Sequence, residues 1–198
     1  MSGGWDAVAG GGRGEVSQEM PKGLDSTTER IDSATERLGA SPILDGYADT
    51  YQPMGGYVIL TTVFGVGLTT ALISAERRGR LPEQLSTKDI LVLGVATHKL
   101  ARLLTKDSVT SFMRAPFVQL EDKSGTNSIT EKPRGRGLRR SIGELISCPE
   151  CTGHWVASGL VVGLLHAPRV TRVVSGLYAS LAIGDMLQFV YVGLKSRA

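Results

Sequence analysis

Residues 57–75 have the sequence YVILTTVFGVGLTTALISA, which contains no charged residue over 19 positions. As an α-helix, this stretch would be roughly 28 Å long, close to the thickness of the hydrocarbon core of a bilayer. Glu76, Arg77 and Arg78 follow it at once, and no basic segment precedes it, so it does not resemble a signal peptide. The sequence therefore predicts a membrane-spanning helix over 57–75.

Two further stretches near the C-terminus are almost free of charge. Residues 152–168 carry no charge, and residues 173–194 carry a single one, at Asp185. Between them, Pro168 predicts a turn. A soluble bundle with long buried helices is the alternative, but charge-free runs of this length are uncommon in soluble helices. We predict a transmembrane hairpin over 152–194 and an all-α, multi-pass integral membrane protein of the cytoplasmic membrane.

Charge is distributed unevenly along the 198-residue chain. Residues 1–56 are Gly-rich and carry a net charge of −5, whereas residues 76–150 carry a net charge of +5. The first segment has too little apolar surface to offset the entropy lost on folding, so we predict a disordered acidic tail. The domain prediction has four parts: the tail 1–56 with a heptad segment 24–38, an added transmembrane helix 57–75, a basic linker 76–88, and a membrane domain 89–194 with a helix 89–104, a loop 105–151 and the hairpin 152–194.

The helix predicted over 89–104 leaves the number of spans open. Its first half is apolar, but His98, Lys99 and Arg102 then occupy one face. If this helix spans, the tail is cytoplasmic and there are four spans; if it lies in the interface, the tail is external and there are three. The basic residues of 105–150 and of the C-terminus predict that both segments are cytoplasmic.

A seven-residue repeat occurs in the tail, where LDSTTER at 24–30 is followed by IDSATER at 31–37 and Leu38. The repeat aligns Leu24, Ile31 and Leu38 along one side of a helix. Two heptads rarely hold a coiled coil alone. We expect either a helix that forms on contact with a protein partner or a second copy of the chain, or a solvated disordered segment.

The pair Cys148 and Cys151, with His154 close behind, is the sharpest chemical signal. Thiols at this spacing can cycle through a disulfide or supply two ligands to a metal such as zinc. A closed zinc site needs four ligands, so His154 would have to be joined by His98, a carboxylate or a second copy. Reduced and inert thiols at the start of a helix are the third reading.

Polar residues within the apolar runs are expected to have partners, because an ionised carboxylate is costly in hydrocarbon. Asp185 and Gln188 lie one turn apart in the last run, and the candidate partners of Asp185 are His98, Lys99 and Arg102.

Small residues recur at helical spacing in both runs of the hairpin, and they predict two faces that pack closely together. They are Gly159, Gly163, Gly176, Ser180 and Gly184. A basic run lies between the hairpin and the helix before it, and anionic lipid headgroups are its predicted partner. That run contains Arg134, Arg136, Arg139 and Arg140. No aromatic residue is interleaved there, which makes nucleic acid an unfavoured ligand.

Several short motifs occur together in residues 89–194. They are THKLARL at 97–103, KDSVT at 106–110, RAPF at 114–117, EKPRG at 131–135, GEL at 143–145, and CPEC at 148–151 followed by Trp155. As a group they resemble the bacterial family known as domain of unknown function 1360. The resemblance implies a small integral membrane protein without an assigned activity, substrate or cofactor. It also suggests a cytoplasmic cluster composed of Arg102, Asp107, Arg114, Glu144, Cys148 and Cys151.

The leading functional hypothesis is a non-enzymatic membrane component that anchors or assembles with partners through the heptad segment and the small-residue faces. The alternative is a thiol-redox or metal-binding membrane protein that acts through Cys148 and Cys151. No arrangement of residues typical of a catalytic centre is present in the sequence, so an enzyme is the less favoured class.

Overall fold

The computed structural model describes residues 30–37, 47, 50–122 and 129–196, and these residues are mostly helical. The helices are α1 (30–37), α2 (Met54–Arg77), α3 (Thr87–Lys106), α4 (Ser111–Arg114), α5 (Gly137–Ser147), α6 (Pro149–His166) and α7 (Pro168–Lys195), and a 3-10 turn (Ser108–Thr110) precedes α4. Strands β1 (Val118–Asp122) and β2 (Thr130–Pro133) pair antiparallel. The helical prediction is confirmed, but the label all-α misses this hairpin, because its short strands lack regular apolar alternation.

The C-terminus of α2 is closed by a glycine turn. Gly79 adopts a positive φ of 61°, and its N–H donates to the carbonyl of Glu76. The next N–H, of Arg80, donates to the carbonyl of Ala75 at 2.9 Å. These two bonds satisfy carbonyls that the helix itself leaves without donors. The chain therefore reverses sharply between α2 and α3.

Proline separates α6 from α7. Helix α6 starts at Pro149 and ends at His166, and α7 starts two residues later at Pro168. Proline suits the first position of a helix, and it disfavours helical geometry in the residue before it. Ala167 therefore leaves the helical conformation, and the two helices are joined by this single residue.

Contacts along the helices define their relative directions. Phe64 of α2 contacts Trp155 of α6, and further along both helices Ser74 contacts His166. Helices α2 and α6 therefore run in the same direction. Two salt bridges join α3 to α7, one from Asp89 to Arg172 and one from Lys99 to Asp185. Helices α3 and α7 are therefore parallel to each other and antiparallel to α2 and α6.

The four long helices form a bundle in which α3 packs against both α6 and α7. Among the described residues, α2 and α7 are each long and apolar enough to cross a membrane, a judgement that rests on length and composition alone. Both have many exposed apolar side chains, whereas most side chains of α6 are at least half-buried among the other helices.

One end of the bundle is covered by the cap, which we define as the described part of residues 107–147. Its centre is the buried Arg114, whose guanidinium binds both carboxylate oxygens of Glu131, at 2.6 and 3.3 Å. The remaining donors bind the carbonyls of Leu104 and Asp107 and the hydroxyl of Thr110. All five guanidinium donors are therefore used, and Arg114 caps the end of α3.

Close backbone approaches seat α5 between the hairpin and α2. A Cβ at Gly143 would lie 2.6 Å from the carbonyl oxygen of Phe117 in the segment before β1. On the other side, a Cβ at Gly56 would collide with the side chain of Ser141. The hydroxyl of Ser141 donates to the carbonyl of Pro53 at 3.2 Å. Only glycine allows these contacts, so the cap fits directly onto the start of α2.

The Arg114–Glu131 pair predicts a large effect of Glu131→Leu on the stability of the cap. Removing the carboxylate leaves a buried guanidinium without its counter-charge, which costs about 3–5 kcal/mol. Hydrogen exchange of the amides in β1 and β2 should show a loss of opening free energy of this size.

The matched control is Lys132→Ala, on the same strand but exposed, which should change the opening free energy by less than about 0.5 kcal/mol. Equal protection in the two variants would contradict the structural role of the ion pair.

Candidate functional site

A cavity of about 490 Å³ lies where the cap meets the bundle. We call it the junction pocket. Helix α2 forms one side, and α5 with the start of α6 forms the other. Its walls are Tyr57, Leu60, Thr61, Phe64, Ser141, Glu144, Leu145, Cys151, His154 and Trp155.

Polar groups of the junction pocket are concentrated at its cap end. The hydroxyl of Tyr57 donates to Glu144, and the Nε of Arg140 donates to the other carboxylate oxygen at 3.0 Å. The side chains of Arg140 and Glu144 are 36% and 25% exposed, so both can still be reached from outside. Tyr57 and Glu144 therefore line this end of the pocket, and Arg140, next to the lining, is the ion-pair partner of Glu144.

The other end of the junction pocket is aromatic. The rings of Phe64 and Trp155 meet edge to face, with centroids 5.1 Å apart and planes at 61°. Aromatic pairs favour this geometry. Leu60 completes the apolar wall.

Cys148 and Cys151 are both free thiols at the start of α6. The Sγ of Cys148 accepts a hydrogen bond from the backbone N–H of Cys151 at 3.3 Å and thereby caps the helix. Burial and, second, the neighbouring Cys148 together raise the pKa of the Cys151 thiol to about 11. The thiolate is the reactive form, so these surroundings suppress rather than activate Cys151.

His154 bonds within its own helix, through Nδ1 to the carbonyl of Glu150 at 2.9 Å. Among the residues that the structure describes, no group of three His, Cys, Asp or Glu side chains is close enough to hold a metal ion. Cys148, Cys151 and His154 therefore do not form a three-ligand site among these residues, and a zinc site completed by a second copy stays a prediction.

Of the three candidate partners for Asp185, Lys99 is the one that binds it, at 2.6 Å between Nζ and Oδ2. His98 and Arg102 do not reach Asp185, because they lie on the exposed side of α3, away from α7. Gln188 is exposed on α7. Which of the three residues binds Asp185 depends on the rotation of α3 about its own axis, and the sequence does not define that rotation.

The small residues of α6 and α7 do not form the close facing contact that the sequence predicts. Only Gly163 approaches the other helix, where an added Cβ would lie 2.8 Å from Oγ1 of Thr171. Positions 159, 176 and 184 have open space around them, and Ser180 is exposed. The reason is that α3 packs against both helices and takes up much of the surface between them.

The four arginines of the basic run have different roles. Arg139 is fixed by two hydrogen bonds to the carbonyl of Pro116. Arg136 and Arg140 lie over the ring of Tyr51, at 5.1 and 5.6 Å from its centroid. Arg134 and Arg136 are exposed and so are open to a lipid headgroup, whereas Arg139 is half-buried.

Helix α1 falls within the heptad segment and packs against the cap of its own chain. Asp32 lies beside Gly137, and Glu36 accepts a hydrogen bond from the hydroxyl of Tyr51 at 3.1 Å. Ile31 remains about half exposed. Residues 24–29 and Leu38 lie outside the described part of the chain, as does most of the predicted acidic tail.

The structure does not assemble the predicted cluster of cap charges. Arg114 binds Glu131, which was not predicted, while Glu144 binds Arg140 and Tyr57. Tyr57 falls within the predicted membrane helix, and the sequence indicates no further role for it. Glu131 is the first residue of the motif EKPRG, but the spacing of that motif does not indicate which cation Glu131 binds.

The raised pKa of Cys151 predicts slow alkylation. At pH 8, a thiol with a pKa of about 11 is about 100-fold less ionised than one with the ordinary value of 9.0. Mass spectrometry after treatment with iodoacetamide should therefore show Cys151 reacting far more slowly in the folded chain than in the same chain unfolded, with the rate rising with pH above 9. Equal rates in the folded and unfolded chains would contradict this assignment.

Comparison with known proteins links these features to a family. The family model described as Protein of unknown function (DUF1360) matches residues 92–191, which contain most of α3, the cap, α6 and most of α7. Helices α1 and α2, and with them one wall of the junction pocket, lie outside the match.

Two relatives from Bacillus subtilis (strain 168) are similar to the chain. "Sporulation protein YjcA" is 29% identical over 102 residues, which cover 50% of this chain and 86% of the relative. "UPF0713 protein YngL" is 28% identical over 91 residues, which cover 44% of this chain and 66% of the relative. No solved structure gives a significant match. Since the family model covers half of its residues, the chain belongs to the family described as Protein of unknown function (DUF1360).

Proposed function

We propose that the chain is a multi-pass integral membrane protein in which α2, α3, α6 and α7 cross the bilayer and hold the cap at the cytoplasmic surface. Its function is to anchor and assemble with partners in the membrane rather than to catalyse a reaction. Helix α6 is 18 residues long, roughly 27 Å, so its first turn, which contains Cys151, lies at the boundary.

The observation that carries this proposal is the apolar exposed surface of α2 and α7. Phe189, Val173 and Val66 are 81%, 74% and 61% exposed, and they belong to a larger set of such side chains on these helices. Soluble monomers rarely expose an apolar surface of this extent. Lipid hydrocarbon is the environment in which it is stable.

The direction of α3 favours four spans. Helix α3 runs beside α7 through at least Asp89 to Lys99, and its 20 residues correspond to roughly 30 Å, enough to cross the hydrocarbon. Arg102 lies one turn before the cap end of α3, where its side chain can extend to the surface. The pairing of Lys99 with Asp185 lowers the cost of placing either charge in the membrane.

Charge distribution supports the cytoplasmic position of the cap. Segments 105–150 and 195–198, at the cap end of the bundle, contain ten Lys and Arg residues, against six in 76–88 and 166–172 at the opposite end. Positive residues are enriched on the cytoplasmic side of bacterial membrane proteins. In this arrangement the chain enters α2 from the cytoplasm.

The outward faces of α7 support an assembly role. Gly176, Ser180 and Gly184 follow one another at intervals of four residues and leave open space on the helix surface. Such faces let membrane helices approach closely. The name of the relative YjcA suggests sporulation as the first process in which to look for a cellular role of this assembly.

Thiol chemistry is the alternative, and the observation that favours it is the position of Cys151 in the wall of the junction pocket. A functional defect in the Cys148→Ser, Cys151→Ser double variant would support it, and normal function would support assembly.

Four spans predict that the loop 78–86 lies outside the cytoplasm, whereas the cap and the residues preceding α2 lie inside. Reporter fusions placed after residues 50, 82, 126 and 198 should therefore report inside, outside, inside and inside. If the reporters at 50 and 82 lie on opposite sides and those at 82 and 126 lie on the same side, only three spans exist and α3 lies in the interface.

The open face of α7 predicts that Gly184→Leu weakens self-association by about tenfold, which corresponds to about 1.4 kcal/mol. An added side chain finds no clash within the chain, so the fold should be retained. Energy transfer between labelled copies, measured in vesicles over a range of protein-to-lipid ratios, gives the association constant.

The matched control is Gly67→Leu on α2, which also has open space around it. Equal association in the two variants, or a wild-type chain that stays monomeric at every ratio, would contradict self-assembly through this face.

A further inference from the structure

The junction pocket changes from polar to apolar along the direction of the helices. Along α2 the lining changes from Tyr57 in the first turn, through Leu60, to Phe64 two turns later, and Glu144 of α5 lies beside Tyr57. If α2 and α6 cross the membrane as proposed above, the polar end is level with the lipid headgroups and the aromatic end with the acyl chains. This gradient matches an amphiphile that is aligned with the bilayer.

The polar end combines charges of both signs. Arg140 and Glu144 form an ion pair that remains partly exposed. A ligand with only one sign of charge would attract one of these side chains and repel the other. A zwitterionic headgroup, which contains a phosphate and an ammonium, can place each charge beside its opposite.

His154, directly before Trp155 on α6, adds an acceptor where the polar and aromatic parts of the pocket meet. The carbonyl of Glu150 can only accept, so Nδ1 of His154 carries a proton and donates to it. The Nε2 atom then has a free lone pair. Each carboxylate oxygen of Glu144 also retains acceptor capacity beyond its bond to Tyr57 or Arg140. These acceptors suit a primary ammonium, which has three N–H donors, better than a quaternary ammonium, which has none.

The apolar end has room for hydrocarbon. Leu60, Phe64 and Trp155 form its wall and are only half-buried. A volume of about 490 Å³ is within the range of small-molecule sites and can take part of an acyl chain. The cap closes the opposite end through Ser141 and Glu144, so the pocket is bounded where the headgroup would lie.

We propose that the junction pocket binds a zwitterionic phospholipid of the phosphatidylethanolamine type. Its phosphate lies near Arg140, its primary ammonium near Glu144 and His154, and one acyl chain runs along Leu60, Phe64 and Trp155. The lipid fills the gap between α2 and the α5–α6 corner and so joins the added helix to the family domain. This proposal rests on the proposed membrane insertion.

Trp155 is a built-in probe of the pocket, because the chain contains only one other tryptophan, Trp5 in the tail. The Trp5→Phe variant in lipid vesicles reports quenching of Trp155 by lipids with brominated acyl chains. Brominated phosphatidylethanolamine, phosphatidylcholine and phosphatidylglycerol are added separately at the same minor fraction to unbrominated phosphatidylcholine.

A matched control reports the bulk lipid. It combines Trp5→Phe and Trp155→Phe with Leu177→Trp. Leu177 is 58% exposed on α7, and the contact of Gly163 with Thr171 places it close to the level of Trp155 on the antiparallel α6. The two probes are therefore within about two residues of the same depth, but only Trp155 lies in the pocket.

The proposal predicts that Trp155 senses phosphatidylethanolamine at about five times its bulk fraction, the factor that one charge contact at a membrane surface supplies. The Leu177→Trp probe should sense all three lipids at their bulk fractions. The proposal is wrong if Trp155 follows the control, if phosphatidylglycerol or phosphatidylcholine quenches it most, or if Trp155 is not quenched at all. Absence of quenching at both positions would instead overturn membrane insertion.

Glu144→Gln keeps an acceptor for Tyr57 but removes the carboxylate charge. It should abolish the preference of Trp155 for phosphatidylethanolamine and leave the Leu177→Trp probe unchanged. An unchanged preference would exclude the role given to Glu144, and the second probe shows in the same vesicles that the variant is still inserted.

Discussion

The five hydrogen bonds of the Arg114 guanidinium hold together the part of the molecule on which the remaining arrangement depends. They join the last turn of α3, through Leu104 and Asp107, to Glu131 on β2. Because this ion pair is buried, its two members cannot separate without exposing an uncompensated charge in a dry environment. The direction in which the chain leaves α3 is therefore fixed, and this direction sets the positions of the β-hairpin and of α5. The position of α5 then decides where the junction pocket forms.

The second constraint is the position of α3 beside α6 and α7. Two turns at the end of the bundle opposite the cap, one built on Gly79 and one on Pro168, reverse the chain so that α2 and α6 run one way and α3 and α7 the other. Charged pairs then join α3 to α7 at two levels. This arrangement explains why α6 has the least exposed surface of the long helices, and why the small residues on its neighbour α7 face outward.

The family domain and the added helix meet at the junction pocket. The ion pair of Arg140 with Glu144 and the ring of Trp155 lie within the matched residues, whereas Tyr57 and Phe64 come from α2. A lipid held there would act as a shared component of these two parts of the chain, in addition to their direct contacts through Ser141, Trp155 and His166. This interpretation connects the anchoring role to one defined site rather than to the apolar surface as a whole.

The sequence alone determined the helical character of the chain, because charge-free runs of about twenty residues have few other stable structures, and its motifs identified the family. It also identified Asp185 as a residue that needs a partner. Only the tertiary structure decided that Lys99 rather than His98 or Arg102 is that partner, since one helical step rotates a side chain by about 100°. The contacts of Glu131 and Tyr57 were likewise decided by tertiary structure, because they join residues that are distant in sequence and whose meeting depends on how the elements pack.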